Sequence, residues 1–265
     1  MRVPVVQHRD RRRRARRRRV LWTGGEVLVT VGVLVLLLVV HQLWWTNREA
    51  KRGAERKVEA LEREWGAAPV ISATPGAGGS AASGRGSASF GDGAVPGARE
   101  QQVARERLVS APRPQWSQAY AVLTIPRLDL RVPVAEGVGK QDVLNKGYVG
   151  HYPGTQQPGR AGNFALAGHR NTHGEPFRYL NRLRPHDVVE VETRAAVYTY
   201  AVDRTLPQTS AQDSGVLRPV PSSVTEPGYG YTEPGYYITL TTCTPEYTSR
   251  YRLVVWGQLL SMRPR

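Results

Sequence analysis

A run of fourteen uncharged residues, VLVTVGVLVLLLVV at 27–40, constrains this chain more than any other feature. Extended to Trp45 it reaches 19 residues, close to the ~20 that a helix needs to cross about 30 Å of hydrocarbon. Trp22 on one side and Trp44 and Trp45 on the other stand where aromatic belts mark the two membrane interfaces. Residues 1–20 carry ten Arg against one Asp, so the positive-inside rule predicts a cytoplasmic N-terminus. Glu26 lies near the start of the span, where a carboxylate can reach the headgroups. The alternative is a cleaved signal peptide, with an apolar region of about 7–15 residues and a small-x-small cleavage site. Here the run is followed by HQLWWTNREA, which is bulky and polar. The expectation is therefore an Arg-rich cytoplasmic tail at 1–19 and an uncleaved, single-pass anchor at 20–45. Everything beyond residue 46 would lie outside the cell membrane.

The net charge of +15 looks like a nucleic-acid signal until it is divided along the chain. About nine of those charges sit in residues 1–20, about two in 21–119 and about four in 120–265. The folding region is only mildly basic, and the Arg block is explained by the membrane, so no nucleic-acid partner is expected.

Residues 46–65 are charged and read as a helix continuing from the membrane. Val58, Leu61 and Trp65 fall at i, i+3 and i+7, a narrow apolar stripe. The stripe is read as belonging to a solvated stalk rather than to a coiled-coil seam, because Gly53 and the short length weaken a dimer contact. Residues 66–113 are rich in Gly, Ala, Ser and Pro and then in charge, which predicts a flexible linker with a short helix near Glu100–Leu108. From about residue 114 the character changes. AYAVLTI, DVVEVET, AVYTYAV, YYITLTTC and YRLVVWG are short Val/Ile/Thr/Tyr runs separated by Pro/Gly punctuation. In one of them Val189 and Val191 fall on one face and Val188, Glu190 and Glu192 on the other. Helix-like stretches are confined to Val143–Lys146 and Pro176–Asn181. The pattern predicts an all-β barrel or sandwich of roughly 150 residues.

The chain has one cysteine, Cys243. Outside the cytoplasm cysteines normally come in pairs, so a lone one is either buried and inert or kept for its reactivity. Cys243 ends one strand-like run and His169 follows another, while Arg252 stands at the mouth of a third. A thiolate nucleophile, an imidazole acid/base and a guanidinium donor to an oxyanion are the parts of acyl transfer. Residue types alone leave a second reading open, since a strand cysteine is often a small core hydrophobe. His169 and His173 also form an H-x-x-x-H pair, but the intervening Glu of a zinc helix is missing and no third ligand is evident. No metal and no cofactor are expected.

TLTTC followed by a turn and R-L-V-V, together with LAGHR about seventy residues upstream, resembles the signature of sortases, which attach proteins to bacterial cell walls. The resemblance extends through LTIPRLDLRVPV and LNKGYVGHYPGTQQPGRAGNFALAGHR and covers roughly residues 118–260. GHRNTHGEPF looks most like the class E sortases of actinobacteria. The resemblance implies a closed eight-stranded β-barrel at 114–265, with Cys243 as nucleophile, His169 as acid/base and Arg252 on the oxyanion side. It further implies cleavage of an LAXTG- or LPXTG-like sorting signal between Thr and Gly through a thioester. A peptidoglycan-precursor amine, lipid II-like, would then resolve that thioester. Thr242, His173 and Tyr152 are candidate substrate contacts, although strand packing accounts for Thr242 equally well. His151, in the same GHYPGT turn as Tyr152, reads as structural. A barrel without turnover and a purely hydrolytic cysteine endopeptidase are the competing readings.

Overall fold

The computed structural model describes residues 8–66 and 113–265. Of the linker expected at 66–113, residues 67–112, with the short helix expected among them, lie outside the described residues.

The N-terminal part is one helix, α1 (His8–Gly66), which runs through the apolar segment and on into the charged one. Residues 21–42 expose their Val and Leu side chains throughout. Among the described residues this is the one helix long and apolar enough to cross a membrane, and it fits a membrane anchor. Contact density divides the chain at residue 48, and Glu49–Arg265 form one compact unit.

Among its described residues that unit holds eight strands: β1 (Ala119–Ile125), β2 (Leu130–Glu136), β3 (Val149–His151), β4 (Gly162–Ala167), β5 (Val188–Thr193), β6 (Ala196–Ser210), β7 (Tyr236–Thr244) and β8 (Tyr251–Pro264). They close into a barrel in the order β1-β2-β3-β4-β7-β8-β6-β5, which leaves no free sheet edge. The pairs β2–β3 and β4–β7 are parallel and the other six antiparallel. Alternation sets the inner face: Val189 and Val191 of β5 are fully buried between less buried neighbours. They join Leu123, Ile125, Phe164, Leu166, Tyr200, Ile238, Leu240 and Val255 in the main core. The helix-like stretches shrink to single 3-10 turns at Leu144–Lys146 and Leu180–Arg182, with Phe177 beginning the approach to the second.

The solvated-stalk reading of 46–65 is corrected. Val58, Leu61 and Trp65 are at most 8% exposed and cluster with Ala119, Val122, Ala135 and Val143 of the barrel. Ala54, on the same helix face, joins the main core. Glu62 pairs with Arg131, and the Arg265 guanidinium lies 4.9 Å from the Trp65 ring centre. The stripe is narrow because it fits one groove on the barrel wall, and Gly53 continues the helix without a break.

Candidate active site

The parallel pairing of β4 with β7 decides where the chemistry lies. Ala167 is in register with Thr241, so His169 and Cys243 each stand two residues further along adjacent strands, at the same barrel end. Cys243 in turn faces Arg252 directly across the antiparallel β7–β8 ladder. Cys243 and Arg252 therefore sit on adjacent strands about 4.8 Å apart, and His169 follows the end of the strand on the other side of Cys243. The thiol is free and partly exposed between the buried Thr242 and Thr244.

Local chemistry holds this end rigid. Gly168 has no room for a side chain: a Cβ there would lie 2.7 Å from the Phe177 ring. Its N–H donates to Thr241 O at 3.2 Å, and its carbonyl accepts from the Thr242 hydroxyl at 2.8 Å. The ladder thus continues up to His169. Thr242 is 3% exposed and its hydroxyl is committed to Gly168, so its place is in strand packing rather than on a substrate. Tyr152 also turns to the protein, its hydroxyl 3.0 Å from Thr241 Oγ1. His151 is 1% exposed, with Nδ1 2.7 Å from the Glu136 carboxylate and Nε2 3.1 Å from Gln156 O, a structural residue.

The His169 ring is fixed by Asn145, whose Oδ1 lies 2.9 Å from Nε2. His173 stacks on it with ring centres 5.3 Å apart. Burial holds the His169 imidazole down from 6.5 to about 4, and the nearby His173 and Lys140 add to the effect. His173 is also pushed down by burial. Its backbone stands at φ +53°, a left-handed conformation that costs a non-glycine residue some free energy.

Arg252 donates Nη1 to Ser249 O at 2.9 Å and to Tyr251 O at 3.0 Å, which folds its guanidinium over the turn beside Cys243. Arg250 precedes β8 and is exposed, with its guanidinium 5.1 Å from the Tyr251 ring centre. Of the two arginines only Arg252 lies in the strand. Two residues of the site were not foreseen. One is Asn145. The other is Arg170, 7% exposed, whose Nη1 donates to Cys243 O at 3.2 Å and to Thr244 Oγ1 at 2.9 Å. Arg170 ties the strand end carrying the nucleophile to the loop carrying the histidine. Its neighbour in LAGHR was the available signal.

Residues 123–260 match the family model of the Sortase domain. Sortase SrtE1 of Streptomyces coelicolor is 42% identical over 246 residues, covering 91% of this chain and 57% of its own length. The chain thus spans a little over half of that relative. Sortase SrtE2 of the same organism is 33% identical over 244 residues, covering 89% of this chain and 80% of its own. The crystal structure of Sortase E1 from Streptomyces coelicolor with a tripeptide in the active site superposes with a TM-score of 0.54 at 50% identity, covering 58% of this chain and 94% of that one. With the motif, the barrel and the matched domain in agreement, the chain belongs to the sortase family, among its class E members.

Proposed function

We propose that this chain is a membrane-anchored cysteine transpeptidase that joins secreted proteins bearing an LAXTG- or LPXTG-like sorting signal to a peptidoglycan-precursor amine of the lipid II type. The observation that carries the reading is the register that brings His169, Cys243 and Arg252 onto three adjacent strand ends. The tripeptide in the Streptomyces coelicolor Sortase E1 active site supports a peptide substrate for the matching barrel.

In the first half-reaction the Cys243 thiolate attacks the Thr carbonyl carbon of the signal, and the Arg252 guanidinium stabilises the oxyanion that forms. The Thr–Gly C–N bond then breaks, and the His169 imidazolium gives its proton to the departing Gly amine. The product is a thioester between the Thr carbonyl and Sγ. In the second half-reaction the acceptor amine attacks that carbonyl, the neutral imidazole takes the amine proton and Sγ leaves as thiolate. The low position of His169 makes its imidazolium scarce at neutral pH but a strong acid when formed, in keeping with catalysis by a small population holding thiolate and imidazolium together.

The Arg-rich block ahead of the anchor supports a cytoplasmic N-terminus and an extracellular barrel. His173, stacked on His169, remains a candidate substrate contact, and Tyr152 and Thr242 serve to shape the strands beneath it. The test is incubation of the full chain in detergent with LAXTG and LPXTG peptides, with and without an added amine. A ligated product in the presence of amine supports transpeptidation. Hydrolysis alone at saturating amine assigns a protease, and no turnover of either peptide assigns an inactive barrel.

A further inference from the structure

The docked part of α1 touches the very turn that holds His169. Val143, fully buried, belongs to the cluster formed with Val58, Leu61 and Trp65. Four residues on, Gly147 lies against the backbone of α1. A Cβ there would stand 2.8 Å from Ala50 O and 3.2 Å from His173 O. Gly147 adopts φ +79°, so both space and conformation demand glycine at this contact. Gly174, next to His173, approaches the Lys51 backbone in the same way, its Cβ position 3.4 Å from Lys51 N. The turn 143–147 is thus held at both ends by the helix. Between those ends stands Asn145, which meets His169 at 2.9 Å.

We propose that the helix segment Glu49–Gly66 is a working part of the active site, which positions His169 through Asn145, rather than a spacer between membrane and barrel. The proposal rests on the reading of His169 as acid/base. An Asn145 Oδ1 that accepts from Nε2–H fixes the imidazole tautomer, leaves Nδ1 to exchange the proton and stays bonded when the ring becomes cationic. Among the described residues, the titratable groups that act on this ring are His173 on the loop after β4 and Lys140 on the loop after β2. Both oppose its positive charge. Asn145 is the neighbour that favours the imidazolium; its N–H donates to Lys140 O at 2.7 Å, and the helix walls the turn at Val143 and Gly147. Anchoring helix and catalytic histidine are then coupled by van der Waals contact over one turn of chain.

The test uses the full chain in detergent micelles, with peptide cleavage followed as kcat, KM and pH profile. Val58→Asp/Leu61→Asp undocks the helix, and Asn145→Ala removes the acceptor. Each is expected to lower kcat about tenfold or more with KM within about twofold, since misplacement of an acid/base group by an ångström has effects of this order. Each is also expected to move the acidic limb of the profile, which His169 sets when thiolate and imidazolium must coexist, to lower pH, while Asn145→Asp moves it to higher pH. Because both changes act through one hydrogen bond, the combined variant is expected to be no slower than the slower parent. Circular dichroism reports the fold, and if the double aspartate variant is unfolded, Leu61→Ala carries the same comparison. A helix variant with wild-type kcat and pH profile overturns the proposal, as do losses that multiply in the combined variant. His169→Ala separates the two levels: activity surviving that change defeats the acid/base reading itself, whatever the helix variants do.

Discussion

Single substitutions separate the roles of Cys243, Arg252, Arg250 and His169. Cys243 is the only thiol, so Cys243→Ala is expected to abolish cleavage and ligation with the unfolding transition unchanged. A thiol reagent is expected to modify one site and stop turnover, and full activity after stoichiometric alkylation would sink the assignment. For the arginines, Arg252→Ala is expected to lower kcat at least about a hundredfold, as loss of an oxyanion donor does, with only partial recovery in Arg252→Lys. Arg250→Ala is expected to cost about tenfold or less, and the opposite ranking moves the role to Arg250. His169 also leaves a mark on stability. Its imidazole titrates at 6.5 when unfolded and about 4 when folded, so between those values the folded chain binds fewer protons than the unfolded one. Stability from this group is therefore present above about pH 6.5 and lost as the pH falls towards 4. His169→Gln is expected to flatten that part of the curve, which urea melts at pH 7 and pH 4.5 can measure; identical slopes for both proteins contradict the burial argument.

At the scale of elements, the strands were legible to the degree that they obey alternation. β1, β5, β6 and β7 and the start of β8 stand out as Val/Thr/Tyr runs, since one face of each is core. β3 has only three residues and β2 carries Pro133, so neither announces itself, although both complete the barrel. The motif words located Cys243, His169 and Arg252, but their meeting depends on the β4–β7 register, which is long-range information. Asn145 was illegible for the same reason, being 24 residues from the ring it holds in a turn with no pattern of its own. The stripe Val58–Leu61–Trp65 was visible as a stripe, yet its partners lie 54 to 85 residues away in the chain, and period alone cannot tell a groove from solvent. Tight packing at Gly168 gives a direct check. Gly168→Ala drives a Cβ into the fully buried Phe177 and is expected to destabilise the fold by about 1–3 kcal/mol, the usual cost of overpacking. An unchanged urea midpoint would show that Phe177 yields more easily than its burial indicates.

At the scale of the whole molecule, the anchor and the Arg block predict a topology. Protease added to intact protoplasts is expected to remove an epitope tag placed after Arg265 and to spare one placed before Met1. The reverse pattern would place the barrel inside the cell. The part of α1 from Glu49 onward belongs to the same compact unit as the barrel. The central claim remains the covalent step at Cys243. Intact-mass measurement of the full chain, quenched in acid during turnover of an LAXTG or LPXTG peptide, addresses it directly. The account predicts one acyl adduct with the mass of the peptide up to and including Thr, localised to Cys243, which disappears when an amine is added as ligated product forms. Ligated product arising with Cys243 unmodified, or formed equally by Cys243→Ala, would contradict it.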